Sequence, residues 1–543
     1  MQPYNISYVK QALVVLSFTI LSGCAKNSFF NTLPTAQLSQ ATYWKTSSDA
    51  LEAVNGVYSS LAYAPNSGEG SGMYCDLVYF DAMTPNLYSN YPWEGYQDFE
   101  MGIQSPTDPD TNPVYYRWAG CYNGIGRANN LLANIYKPDM DDSLRSRIRG
   151  EAYFLRALYY FSLEDYYGDV PLITHAPVIT DSSMARTPRA QVVSQILLDL
   201  DSAAKLLSLS YSGSDVGRAT RGAALGLAAR VLLYEASPLN NTGNDLSKWQ
   251  AAATAAQAVM NLNVYSLFNN YRALFLPQNE NNSEVIFDVQ YTAAGSQYAT
   301  GWDTYLGIYN GAYINSGWSS LEPTTDFVDE YEMIDGSTWS PGNPIADPNN
   351  KYNNRDPRLD MTLFREGKLY NGTLYPVTGG WPGIYTGFSF KKYTINDSNN
   401  TTTVPYLQST INGILIRYAD VLMMYAEAQN EAVGPDATVY SAINAVRARA
   451  GMPALPGGLS QAAMRQRIWH ERRMEFVLEG LYYSDVRRWM AADSVLNRPI
   501  QLNGANEQGA IQVRKFDPSK NYLWPIPQSE ITADPNLRQN PGY

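Results

Sequence analysis

Two histidines and three cysteines in 543 residues leave little material for several kinds of chemistry. A histidine-based metal site or an acyl-transfer triad needs imidazoles that His175 and His470 alone can scarcely supply. His470-Glu471-Arg472-Arg473-Met474 comes nearest to a zinc-protease helix, but Met stands where the second His is required. Gly124-Ile125-Gly126-Arg127 lacks the third glycine and the preceding strand of a dinucleotide fingerprint, and neither a P-loop nor a Gly-x-Ser-x-Gly elbow occurs. No cofactor, metal site or catalytic residue is therefore expected. Charge is also scarce, at 17% of residues against about 25% in an ordinary domain. Acidic side chains outnumber basic ones 51 to 39, for a net charge of -12. Such a surface repels polyanions, which argues against nucleic acid and anionic lipid as partners. With 45% hydrophobic residues, the chain has material for a large packed core and not the composition of a disordered one.

Long apolar runs are missing too. Ala12 to Leu21 is too short to span a bilayer and, preceded by Lys10, reads as an export signal over residues 1–23. Leu21-Ser22-Gly23-Cys24 resembles a bacterial lipobox, which implies that Cys24 becomes a lipidated N-terminal residue anchored through its acyl chains. Cys75 and Cys121 then lie in an oxidising compartment, where the sequence leaves open a disulfide or two buried thiols.

Three blocks carry a 3.6-residue apolar period. In the first, a helix is predicted from an Ser143 N-cap to Tyr167, ended by Gly168 and Pro171, with a partner over about Tyr115 to Tyr136. The second covers Ala190–Leu207, Ala219–Ala236 and Trp249–Asn261; the third covers Arg417–Asn430, Ala437–Ala450 and Gln461–Ala492. Small residues crowd some of these helices, from Gly222 to Ala229 and from Ala251 to Ala258, as close-packed helix pairs require. The period is too irregular to prove a repeat. Helical character divides the chain into an N-terminal scaffold over 24–262, interrupted by an irregular loop at 65–113, and a C-terminal scaffold with a Pro-rich ending over 413–543. Between them, 263–412 is rich in Gly, Asn, Pro, Tyr and Trp, with one strand-like run at Glu284–Tyr291. So long an irregular stretch inside a compact protein points to function.

What the sequence has in excess is aromatic: 42 tyrosines, more than its 39 glycines, with 16 Phe and 11 Trp. Indole and phenol rings offer flat apolar faces with a polar edge, suited to ligands that combine apolar faces with many hydroxyls, as sugars do. Three loop segments have this character: Tyr91-Pro92-Trp93, with Asp76 and Asp81 nearby; Trp302 and Tyr305 through Trp318; and Trp381 through Tyr385. Trp118, Trp249, Trp469 and Trp489 lie on predicted helices and are read as core. Glu471, Glu475 and Glu479 recur every four residues and would repel unless cations intervene. Arg417, Arg447, Arg449, Arg472, Arg473, Arg487 and Arg488 supply such cations, so this set reads as an ion-pair network. Any two acids can converge as a glycosidase pair, so a helix-rich glycoside hydrolase remains an alternative.

Leu33-Pro34-Thr35, Tyr43-Trp44-Lys45, Glu151 to Ala157, Tyr167 to Leu172, Gly217 to Thr220, Pro323 to Asp329 and Asn354-Arg355-Asp356-Pro357-Arg358 resemble motifs of the SusD/RagB family. Ile416 to Leu422, Tyr425 to Ala428, Glu471-Arg472-Arg473, Asp485 to Trp489, Tyr522 to Pro527 and Gln539 to Tyr543 continue the resemblance in family order over nearly the whole chain. The resemblance implies a mainly α fold: a tetratricopeptide-like helix-pair scaffold with a large irregular, loop-rich ligand-binding region. It further implies a non-enzymatic outer-membrane lipoprotein, facing the cell exterior, that binds a neutral glycan and passes it to a TonB-dependent SusC-like β-barrel transporter. A peptide-binding or purely structural lid of such a transporter is the alternative within the same family. Ala25-Lys26-Asn27-Ser28 departs from the acidic residues that surface-exposed members carry after the lipid cysteine.

Overall fold

A computed structural model describes residues 43–61, 77–109, 112–292, 299–309, 311, 313–376, 385–501 and 510–543. Its long helices are α1 (Ser47–Ser59), α2 (Pro113–Asn134), α3 (Asp142–Tyr167), α4 (Arg189–Leu206), α5 (Arg221–Ala236), α6 (Leu246–Met260), α7 (Tyr418–Val433), α8 (Ala437–Arg449) and α9 (Gln461–Glu475). Strands are short and pair two by two among the described residues. Four matter here: β1 (Leu87–Ser89), β2 (Val285–Val289), β3 (Leu321–Pro323) and β4 (Gly413–Arg417). The fold is mainly α, and no helix among the described residues is long and apolar enough to cross a membrane.

The helices begin where side chains satisfy their first free N–H groups. Asp141, two residues earlier than the expected Ser143, caps α3 by accepting from the Ser143 and Leu144 amides at 2.8 and 3.1 Å. Asn112, Thr220, Asp245, Asp436 and Ser460 cap α2, α5, α6, α8 and α9 in the same way. From α2 to α8 each helix packs on the next, and α6 packs directly on α7 although residues 261–417 intervene. The irregular segment is thus an excursion from a continuous helical stack. Glycine permits the closest approaches: a Cβ at Gly124 would lie 2.3 Å from the Tyr159 ring, which explains that glycine without a nucleotide. Cys121 is buried on α2, whereas Cys24 and Cys75 lie outside the described residues.

The third block departs from expectation in one place. Instead of one helix from Gln461 to Ala492, α9 stops at Glu475 and a separate short helix occupies Tyr482–Arg488. Between them Leu478 and Gly480 take φ values of 66° and 70°, conformations a helix does not accommodate. The Leu478 amide is held by the carboxylate of Asp81, which arrives from the first irregular region. A tertiary contact overrides the local apolar period.

The expected ion network closes behind this break. Arg417 reaches Glu284 at 2.7 Å, Glu475 at 2.6 Å and Glu479 at 2.7 Å. Arg358 binds Asp356 at 2.7 Å, Glu471 at 2.6 Å and Glu475 at 3.1 Å. Arg447 joins Glu471 to Glu332 at 2.9 and 3.0 Å, and Lys392 meets Glu479 at 2.6 Å. These groups are buried, so cations intervene between the three glutamates as their spacing demanded. Burial alone would raise the Glu475 carboxyl, but Arg449, Arg417 and Arg358 hold it well below the usual carboxylate range.

Candidate functional site

The two irregular regions meet in a two-stranded antiparallel sheet, with Leu87 opposite Pro323, Tyr88 opposite Glu322 and Ser89 opposite Leu321. The pairing continues past the strands, where the Asn90 amide donates to the Ser320 carbonyl at 2.8 Å and the Asn90 side chain donates to Glu322 at 2.9 Å. The consequence is positional: Tyr91 and Trp93, at the end of β1, emerge beside Trp318, just before β3.

Each ring is held by its own local device. Pro92 opens a single 3₁₀ turn that Gly95 closes at φ 82°, its amide donating to the Pro92 carbonyl at 3.0 Å. This turn stacks Trp93 on Tyr91, with centroids 4.6 Å apart and planes 18° from parallel. The Tyr91 hydroxyl donates to the Trp318 carbonyl at 2.7 Å and so ties one segment to the other. On the second segment, the Trp318 amide donates to the Thr304 carbonyl at 2.7 Å. Gly317 lies so close to the Thr304 backbone that a Cβ would come within 2.2 Å of it. The Trp318 ring is flanked by Tyr305 and Tyr406, each at 5.4 Å. Trp93 is 72% exposed, Tyr406 61% and Tyr309 40%; Tyr91, Trp318 and Tyr305 are half-buried. Tyr385 stands on the other flank of β1, edge-on to Tyr88 at 6.3 Å, positioned by the adjacent Thr386 amide, which donates to Glu322 at 2.8 Å.

The result is an open aromatic ledge with little charge. Its two nearest carboxyls are not ion-paired among the described residues. Burial pushes Glu94 up to about 7, opposed by hydrogen bonds that include one of 2.9 Å from the Tyr79 hydroxyl. Burial likewise pushes Glu322 to about 7, against donation from Asn90 and Thr386. Both therefore titrate near neutrality and not in the usual carboxylate range. Among the described residues no group of three His, Cys, Asp or Glu side chains is placed to hold a metal ion.

Two expected ligand contacts prove to be framework. Asp81 is fully buried and grips the Leu478 amide, and burial raises its carboxyl to about 7. Trp302 is 0% exposed, packed edge-on against Tyr393 at 5.0 Å and Tyr291 at 5.9 Å. It lies on a short helix, Trp302–Leu306, whose next residue, Asp303, is itself buried and accepts from Ser409 at 2.6 Å. Tyr91, Trp93, Tyr305, Trp318 and Tyr385 do come together around one sheet. Asp76 and Trp381 lie outside the described residues. Sequence reasoning missed Asn90, Tyr309 and Tyr406. Tyr406 follows Pro405 in a segment of the same loop-aromatic character that singled out Tyr91-Pro92-Trp93, whereas nothing local marks Asn90.

The chain also resembles known proteins along most of its length. Residues 283–543 match the model described as SusD family, and residues 46–233 match the model described as starch-binding associating with outer membrane. The chain is 26% identical to SusD-like protein P25 of Formosa agariphila, covering 98% of this chain and 99% of that protein. A solved SusD-like carbohydrate binding protein from Bacteroides fragilis superposes with a TM-score of 0.80 at 27% identity, over 92% of this chain and 100% of that one. A laminarin binding SusD-like protein superposes with a TM-score of 0.71 at 25% identity, over 92% and 100% of the two chains.

Proposed function

The chain belongs to the SusD/RagB family, and from that premise we propose that it captures a neutral oligo- or polysaccharide on the aromatic ledge. The observation that carries this reading is the β1–β3 pairing, which brings exposed Trp93 and half-buried Tyr91 and Trp318 into one surface from two distant segments. Flat rings bind the apolar faces of pyranose units, and the phenols of Tyr309 and Tyr406 serve hydroxyls at the rim. Each stacked ring supplies roughly 0.5–1.5 kcal/mol beyond area burial. A few rings then give a weak site, about micromolar to millimolar, compatible with release of the ligand onward.

On this reading the protein is a lipoprotein held at the outer membrane by Cys24 and facing outward, and the ligand passes to a TonB-dependent SusC-like barrel. The family resemblance and the outer-membrane wording of the N-terminal match support this placement. Binding, not catalysis, is its role. Glu94 and Glu322 are the carboxyls that a glycosidase reading would choose, yet both are occupied by structural hydrogen bonds from Tyr79, Asn90 and Thr386. Isothermal titration against neutral polysaccharides, laminarin among them because a similar protein bears that name, tests the reading. Saturable binding without release of reducing ends is expected. Folded protein that binds none of them, or that liberates reducing ends, would overturn it.

A further inference from the structure

Tyr406 reaches the ledge from neither of the two segments that pair as β1 and β3. It stands at the corner of a turn over residues 405–408, closed by the Gln408 amide donating to the Pro405 carbonyl at 3.0 Å. The next residue, Leu407, takes φ 55°, which is left-handed backbone at a turn position that Gly or Asn normally fills. A leucine stays in that conformation only where its surroundings impose it.

Both flanks of the turn are tied to the segment that carries Trp318. Upstream, the Asn315 side chain donates to the Thr402 carbonyl at 3.0 Å and accepts from the Val404 amide at 2.9 Å. Downstream, Ser409 and Thr300 exchange backbone hydrogen bonds of 2.8 and 2.9 Å. At the corner itself, the Leu407 amide donates to the Thr304 hydroxyl at 3.0 Å, across 103 residues of chain. Among the described residues this is the corner's one hydrogen bond outside the turn. Thr304 is buried on the short helix Trp302–Leu306, and its carbonyl is the acceptor for the Trp318 amide. One residue thus holds two rings: its main chain fixes Trp318 and its side chain fixes the turn that carries Tyr406. The rings they present lie 5.4 Å apart with planes at 65°. Because the hydroxyl can be replaced without touching the carbonyl, the two holds are separable.

We propose that Thr304 is a positioning residue for glycan binding, whose hydroxyl, by holding the Leu407 amide, sets the Tyr406 ring as a third arm of the ledge. The inference rests on the ledge reading and adds to it a residue that touches no ligand. Calorimetric titration of the full chain with laminarin, amylose, xylan and mannan selects the glycan that wild type binds most tightly, and that glycan is carried into the variants. Thr304→Val keeps the size of the side chain and removes the acceptor. Thr304→Val and Tyr406→Ala are each expected to weaken binding about three- to tenfold. The double variant is expected to bind no more weakly than Tyr406→Ala alone, since a ring that has been removed cannot be misplaced. Thr304→Ser, which restores the acceptor, is expected to bind within about twofold of wild type. Thermal unfolding checks that each variant is folded; if Thr304→Val is not, Thr304→Ala removes the same hydroxyl and takes its place in the cycle. Losses that multiply in the double variant, or a Thr304→Ser variant as weak as Thr304→Val, overturn the proposal and leave the ledge standing. So does a glycan that depends on Trp93 yet binds Tyr406→Ala as tightly as wild type. A folded wild type that binds none of the four glycans removes the ledge and this proposal with it.

Discussion

In the helical scaffold Glu475 sits among Arg358, Arg417 and Arg449, and the surrounding guanidinium groups keep it ionised although it is fully buried. At the ledge Glu322 is just as buried, but its partners are the neutral amides of Asn90 and Thr386, and its carboxyl rises to about 7. Glu94 behaves like Glu322, and Glu471, Asp420 and Glu427 behave like Glu475. The same side chain is thus a fixed charge within the network around Glu475 and a proton-holding hydrogen-bond group at the ledge. The scaffold spends its arginines on internal pairing, and the surface offered to a ligand is left almost without charge, which suits a neutral glycan.

The comparison breaks most visibly at Glu475. Glu475→Gln removes the carboxylate that Arg358, Arg417 and Arg449 share and should cost about 3–5 kcal/mol of stability, read by denaturant unfolding; a loss under about 1 kcal/mol would show that their remaining carboxylate partners suffice. Trp302→Ala should cost a similar amount, about 3–5 kcal/mol, because it empties a fully packed site, and glycan affinity should change only through folding. Trp93→Ala and Trp318→Ala should do the reverse: affinity falls by about 1–2 kcal/mol, roughly five- to thirtyfold, with unfolding midpoints close to wild type. Trp489→Ala, whose ring is buried and donates to Glu427 at 2.7 Å, should cost stability and leave intrinsic affinity intact.

One further effect depends on pH. Glu322 has a folded pKa near 7, above its ordinary 4.5, so the folded form binds the proton more tightly than the unfolded chain does. Its contribution is fully present below about pH 4.5 and is lost as pH rises through 7. Glu475 runs the other way, contributing above about pH 4.5 and losing that contribution on acidification. Glu322→Gln should therefore match wild-type stability near pH 5 and exceed it near pH 8.5, in thermal unfolding at each pH. An equal offset at both values would show that Glu322 does not titrate in this window.

The helical stack was largely legible because its signals are local: periodic apolar positions, small residues at crossings, and glycine or proline at the ends. The i, i+4, i+8 glutamates announced their cations for the same reason, since like charges on one helix face must be compensated. What could not be read was whether a loop tryptophan faces in or out. Trp93 and Trp302 both lie in Gly-, Pro- and Tyr-rich sequence, yet one is exposed and the other enclosed by Tyr291 and Tyr393. Their difference is set by the β1–β3 register and by segments more than a hundred residues away in the chain, such as Gly413, where a Cβ would come within 3.1 Å of the Trp302 ring. Asp81 was taken for a ligand contact for a related reason. A carboxylate beside loop aromatics resembles a sugar contact, and only the fold reveals that it holds the Leu478 amide and splits a helix.

The most direct test of a ledge built jointly from two distant segments is calorimetric titration of one bound glycan into wild type, Trp93→Ala and Trp318→Ala at matched folding stability. Both variants are predicted to weaken the same ligand by roughly five- to thirtyfold. If either variant binds that ligand as tightly as wild type does, the two segments do not form a common site and the account is contradicted.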